Sequence, residues 1–152
     1  MNSQSPTAPQ PGEFRFATAE GTKRLVLLLS IDEKRQYARA VLVSTEPELA
    51  TDHSLLFAGA EIGAHFSALV QADLVMPIWL KQLGPRVGQL PIPLGPVVAA
   101  AEHNRFAPEL AARRGLPLAG PHDSRVKPRD QEVDELWLIA GDCVAALEGW
   151  DR

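Results

Sequence analysis

Apolar residues fall in short blocks through the first two thirds of the chain and in a helical rhythm near its end. Glu13 to Phe16 predicts a first short strand, and Lys23 to Ile31, KRLVLLLSI, a longer one closed by the charged turn Asp32, Glu33, Lys34, Arg35. Leu25 to Leu29 is apolar at every position, so alternation does not assign it. Its length and polar flanks predict a strand covered on both faces, while a buried helical turn fits the same leucines. Ala38 to Ser44, ARAVLVS, has the β-branched character of a partner strand, and the separation between the two blocks suits a hairpin with a longer loop. Asp52 to Phe57 and Ser67 to Val75 supply two further strands, separated by GAEIGAHF, whose glycines suit turns or a bulge.

Proline then changes the texture. Pro77, Pro85, Pro91, Pro93 and Pro96 cut residues 76–96 into short pieces. Ile78 to Leu83 predicts a single helical turn and Arg86 to Leu90 a short strand. Val97 to Arg105 reads as a helix, and Pro108 begins another through Arg114, ended by Gly115. Residues 115–129 read as a linker with a small basic run at Arg125, Lys127 and Arg129. Gln131 to Leu147 fits an amphipathic helix whose stripe is Val133, Leu136, Trp137, Ala140, Val144 and Leu147. Asp130, Glu132, Asp134 and Glu135 favour its N-terminal end electrostatically. Gly141 weakens its middle by about 1 kcal/mol relative to alanine.

The 152 residues, 45% of them apolar, suffice for a sizeable core, and the opening MNSQSPTAPQPG has too little apolar surface to order itself. This divides the chain into a flexible arm at 1–12, a main domain at 13–104, a short helix and linker at 105–129, and an amphipathic helix at 130–152. The formal charge is −4, with eight bases against nine acids in residues 1–92 and seven against ten in 93–152. That balance offers no general attraction to nucleic acid. The single cysteine, Cys143, excludes a disulfide framework and a cysteine-rich metal site. The longest apolar run is too short to cross a bilayer, and no secretion signal opens the chain, so a cytoplasmic protein without membrane contact is expected.

Chemical signals are sparse. His53, His65, His103 and His122 are scattered without metal-ligand spacing, and no glycine-rich run leads into Lys followed by Ser or Thr, so no metal and no cofactor are expected. Cys143 reads as a packed thiol. Tyr37 and Trp79 are candidates for base stacking or for ordinary packing. The most informative constellation is Lys23-Arg24 before the first buried strand and Ser44-Thr45-Glu46 after the next, which a hairpin places at one end. Arg24 could hold a phosphate through its planar donors, Thr45 could position an oxygen, and Glu46 could accept a proton. A charged rim at a sheet end explains the same residues.

In the order of these segments the chain resembles the MazF/PemK family of toxin endoribonucleases. The resemblance runs through PGEFRFATAEGTKRLVLLLSID at 11–32, ARAVLVSTEPE at 38–48 and SALVQADLVMPIWLKQLGPRVGQL at 67–90. It implies a mainly β protein with C-terminal helices (α+β), built on a small SH3-like β-barrel and forming a homodimer. It implies metal-independent cleavage of single-stranded RNA by attack of the ribose 2′-hydroxyl on the adjacent phosphate, and an antitoxin or other protein partner. Carried over by position, Arg24 and Thr45 are the catalytic candidates, Lys23 and Arg86 the RNA-binding ones, and Asp73 and Gly88 structural. Leu25 stands where the family often has proline, and LVSTE at 42–46 lacks the usual proline before the threonine. The alternative is therefore a noncatalytic PemK-like interaction or scaffold module, with Leu136 and Trp137 on the terminal helix as its protein-binding residues.

Overall fold

In a computed structural model of the chain, which describes residues 8–150, the strands are β1 (Glu13–Ala19), β2 (Thr22–Asp32), β3 (Tyr37–Ser44), β4 (Ser54–Phe57), β5 (Ala68–Trp79) and β6 (Leu83–Gln89). The helices are α1 (Gly59–Ile62), α2 (Leu94–His103) and α3 (Val126–Trp150), with 3-10 turns at Pro47–Leu49, Leu80–Gln82 and Pro108–Arg113. Residues 1–7 of the expected arm and residues 151–152 of the terminal segment lie outside the described residues. Gly12, also assigned to that arm, is buried: its N–H donates to the Leu28 carbonyl at 2.7 Å and its carbonyl accepts from Leu90 at 2.8 Å.

All six strands form one antiparallel sheet in the order β4-β5-β3-β2-β1-β6. The expected barrel is not closed. β4 pairs only with β5 and β6 only with β1, so both remain edges, and closure would require the end strands to share a ladder. Nor is the protein mainly β: it is a mixed α/β fold in which helices complete the burial of an open sheet. Along β2, Leu25, Leu27 and Leu29 enter one apolar cluster with Phe14, Val41, Val43, Phe57 and Val97 of α2. Val26 and Leu28 enter the opposite cluster with Ala40, Leu42, Ile78 and, from α3, Leu136, Ile139 and Ala140. Successive strand residues face opposite sides, so a strand covered on both faces must be apolar throughout, which accounts for KRLVLLLSI.

The terminal helix begins at Val126, inside the stretch read as linker. Pro128 is tolerated there because the first-turn N–H groups have no intrahelical acceptor. Arg125 anchors the approach, donating to the Leu116 carbonyl at 2.8 Å and the Pro117 carbonyl at 2.9 Å and pairing with Asp123 at 2.7 Å. β5 runs through Pro77 to Trp79, beyond the predicted end at Val75. Past Gln71 it has a ladder partner on the β3 side alone, where proline's missing donor is tolerated. At the other end of the sheet, buried Arg15 donates to Glu13 Oε1 at 2.9 Å and to the Gly84 carbonyl at 2.8 Å, tying β1 to β6.

Candidate functional site

The β2–β3 hairpin sets Leu25 opposite Val43, so Arg24 and Ser44 lie at one end of the sheet. Alternation turns both toward the face that α3 covers. What they meet there is a carboxylate. Glu132, in the second turn of α3, is only 5% exposed. Its Oε2 accepts from Arg24 Nη2 at 3.0 Å and from Ser44 Oγ at 2.9 Å, and its Oε1 accepts from Gln71 Nε2 at 3.0 Å. Arg24 Nη1 donates to Glu135 Oε1 at 3.2 Å. Arg129 donates to Gln71 Oε1 at 3.0 Å and pairs with Asp73. One network thus joins the adjacent strands β5, β3 and β2 to α3.

The arrangement satisfies nearly every polar group it buries, as an interior must. A charged carboxylate can remain inside because three donors converge on it, one of them cationic. Arg24 Nε is the exception. It is buried with no hydrogen-bond partner, the one such side-chain atom among the described residues. The register shift in the β3–β5 ladder lies between the Val43↔Val70 and Val41↔Val75 pairs, the stretch that carries Gln71 and Asp73 to the helix.

The other residues singled out by sequence are dispersed. Lys23 is next to Arg24 on the strand and therefore faces the opposite side, with its ammonium 4.7 Å over the Phe16 ring. Thr45 and Glu46 are exposed, and neither side chain makes a hydrogen bond among the described residues. Arg86 is on edge strand β6 with β1 between it and β2, its side chain 56% exposed and its Nη1 4.0 Å from Glu13. Asp73 is held by Arg129. Gly88 is buried, and a Cβ there would stand 3.1 Å from the Ile62 carbonyl oxygen and 3.4 Å from the Phe14 ring. Leu136 is buried in the α3-side core, whereas Trp137 points outward, 48% exposed. Cys143 is buried, and that burial pushes its thiol up to about 11, which leaves it unionised at neutral pH.

Glu132, Glu135, Gln71 and Arg129 were not among the sequence candidates. A signal for Glu132 existed: it sits four residues before Leu136 on the inward stripe. A helix expected to start at Gln131 puts this acid in its first turn, where the helix dipole is the simpler explanation, whereas α3 starts at Val126 and the acid lies beyond that turn. Among the described residues no group of three or more His, Cys, Asp or Glu is arranged to hold a metal ion, and no helix is long and apolar enough to cross a membrane.

No protein-family profile matches the chain, and no curated protein matches it. Solved structures do. The Mycobacterium tuberculosis toxin MazF-mt6 is 20% identical, with 60% of this chain and 93% of that one covered and a TM-score of 0.46. An endoribonuclease in complex with its cognate antitoxin, from a mycobacterial species, is 16% identical, with 66% and 100% covered and a TM-score of 0.48. The chain is similar in structure to MazF-type endoribonuclease toxins, at low sequence identity. The likeness covers less than the whole chain.

Proposed function

We propose that this chain is a noncatalytic, MazF/PemK-like protein-interaction module. The observation that carries the reading is the commitment of Arg24 to Glu132 and Glu135 of its own terminal helix. A phosphate reaching Arg24 must displace a buried carboxylate that has three donors, and would leave that charge uncompensated unless α3 moved as well. Thr45 does not share the Arg24 network, so the two residues expected to act together on a ribose and its phosphate are not joined. The acidic balance adds no long-range attraction for RNA. The purified full chain, incubated with unstructured RNA of varied sequence in EDTA, is expected to leave it intact. Cleavage that disappears in Arg24→Ala would overturn the reading.

A second reading is favoured by the donor set itself. Arg24 Nη2, Ser44 Oγ and Gln71 Nε2 converge on one carboxylate, and Arg24 Nε has no partner. A phosphate oxygen could accept from the same groups. The chain would then be a latent, metal-independent endoribonuclease for single-stranded RNA, held off by α3. In that case Glu132→Gln combined with Glu135→Gln loosens the helix from Arg24 and cleavage appears. A folded double variant that leaves RNA uncut eliminates latency.

A further inference from the structure

Among the described residues, the outward face of α3 carries exposed large apolar side chains. Trp137 is 48% and Leu138 66% exposed. Gly141 and exposed Ala145, four and eight residues beyond Trp137, lie on the same side of the helix and present almost no side chain. A Cβ added at Gly141 would meet nothing within 4 Å, so packing inside the protein does not require the glycine, which weakens a helix interior relative to alanine. The face is a shallow apolar strip walled by a large aromatic ring.

The exposed charges along it are mostly acidic. Asp130, Asp134, Asp142 and Glu148 are all exposed on this helix, against a single exposed base, Lys127. Among the described residues none of the four acids takes part in an ion pair or a side-chain hydrogen bond, whereas Arg125 and Arg129 are committed to Asp123 and Asp73. An apolar centre ringed by unpaired acids discriminates among occupants by charge. A second copy docked through the same face brings like charges together, RNA and anionic lipid surfaces are repelled, and a cationic surface is drawn in.

We propose that the Trp137–Leu138 face of α3 docks a basic amphipathic helix of a partner protein, its apolar residues set against Trp137 and the Gly141–Ala145 strip and its Lys or Arg side chains against the acids. This inference rests on the interaction-module reading and names the chemistry of the partner. Close approach of two helices is set by the side chains between their axes, and small residues beside a large one let a partner's apolar side chains seat. The aromatic anchor supplies affinity, and the charged rim supplies selectivity and association rate.

The test uses the full chain and a labelled synthetic peptide with leucines at helical stripe spacing and lysines elsewhere, followed by fluorescence anisotropy at physiological salt. The controls are a scramble of the same composition and a glutamate-for-lysine version. The striped lysine peptide is expected to bind, the scramble about tenfold more weakly and the glutamate version not at all. Trp137→Ser and Asp134→Lys should each weaken binding about tenfold without shifting the thermal midpoint, since both residues are exposed. Gly141→Leu should weaken it with no loss of helix content. Absence of binding, equal binding of the scramble, or full affinity in Trp137→Ser overturns the proposal. RNA cleavage on the same preparation is scored separately. An unbound peptide with intact RNA sinks the docking face alone, and a bound peptide with Arg24-dependent cleavage sinks the noncatalytic reading alone.

Discussion

Arg24 shows how one side chain can satisfy two descriptions. By sequence position it is the arginine expected to meet a phosphate at the start of a buried strand; by contact it is the counter-ion of a buried carboxylate. Removing one member of a buried pair costs more than the pair contributes, because the remaining charge keeps its desolvation penalty. Arg24→Ala is therefore expected to lower stability by about 3 kcal/mol, read from the urea midpoint. Adding Glu132→Gln should recover part of that loss, because the amide keeps some hydrogen bonding without the charge. A loss in Arg24→Ala below about 1 kcal/mol would mean that the contact behaves as an exposed ion pair.

At the level of elements, α3 illustrates how a correct helix can be rotated by a fraction of a turn. The sequence stripe included Trp137, yet the inward line is Glu132, Leu136, Ile139, Ala140 and Cys143. The two lines share Leu136 and Ala140, Val133 and Val144 of the predicted stripe pack against the same cluster, and the difference is that Ile139 rather than Trp137 completes it. Hydrophobicity favoured the tryptophan. The sheet face instead takes Ile139, whose carbonyl also accepts from Gln82 Nε2 at 2.9 Å. Leu136→Ala should accordingly cost about 2–5 kcal/mol, and Leu138→Ala, one residue beyond Trp137 on the exposed side, less than about 0.5 kcal/mol. Thermal melts of the two variants decide it, and equal losses would place the inward face elsewhere.

Across the whole molecule, the segments outside the sheet are fastened by ion pairs. Arg113 ties its 3-10 turn to α1 through Glu61 and to β4 through the Leu56 carbonyl, and Arg125 holds the approach to α3 through Asp123. The hydrogen bond from Arg113 lowers the Glu61 carboxyl from the ordinary 4.5 to about 2. That from Arg125, with the backbone N–H groups of Ala119 and Arg125, holds Asp123 well below the usual carboxylate range. Both folded values are depressed, so this stabilisation is fully present above the unfolded values and is lost as pH falls through the folded ones. Thermal midpoints should fall on acidification from about pH 4.5 to 2, and Glu61→Gln should flatten that slope modestly, since the pair is exposed to solvent. An unchanged slope in the variant would show that the contact does not persist in solution.

The main strands and the body of the terminal helix were legible in the sequence because short-range pattern determines them, whereas α1 was read as turns and the end of β5 and the start of α3 were misplaced. KRLVLLLSI had to be covered on both faces, ARAVLVS had to pair beside it, and the rhythm after Asp130 had to be a helix. The same hairpin logic brought Arg24 and Ser44 to one end. Which groups face each other across long separations was decided by tertiary structure alone. Glu132 reaches Ser44 across 88 positions of chain, a pairing that no local spacing encodes. The open sheet in place of a barrel is likewise a tertiary outcome, because closure depends on how far β4 and β6 are carried apart, and each strand's own sequence is indifferent to it. Chain-local chemistry set the elements; the burial of one acid on the inner side of α3 settled what Arg24 touches.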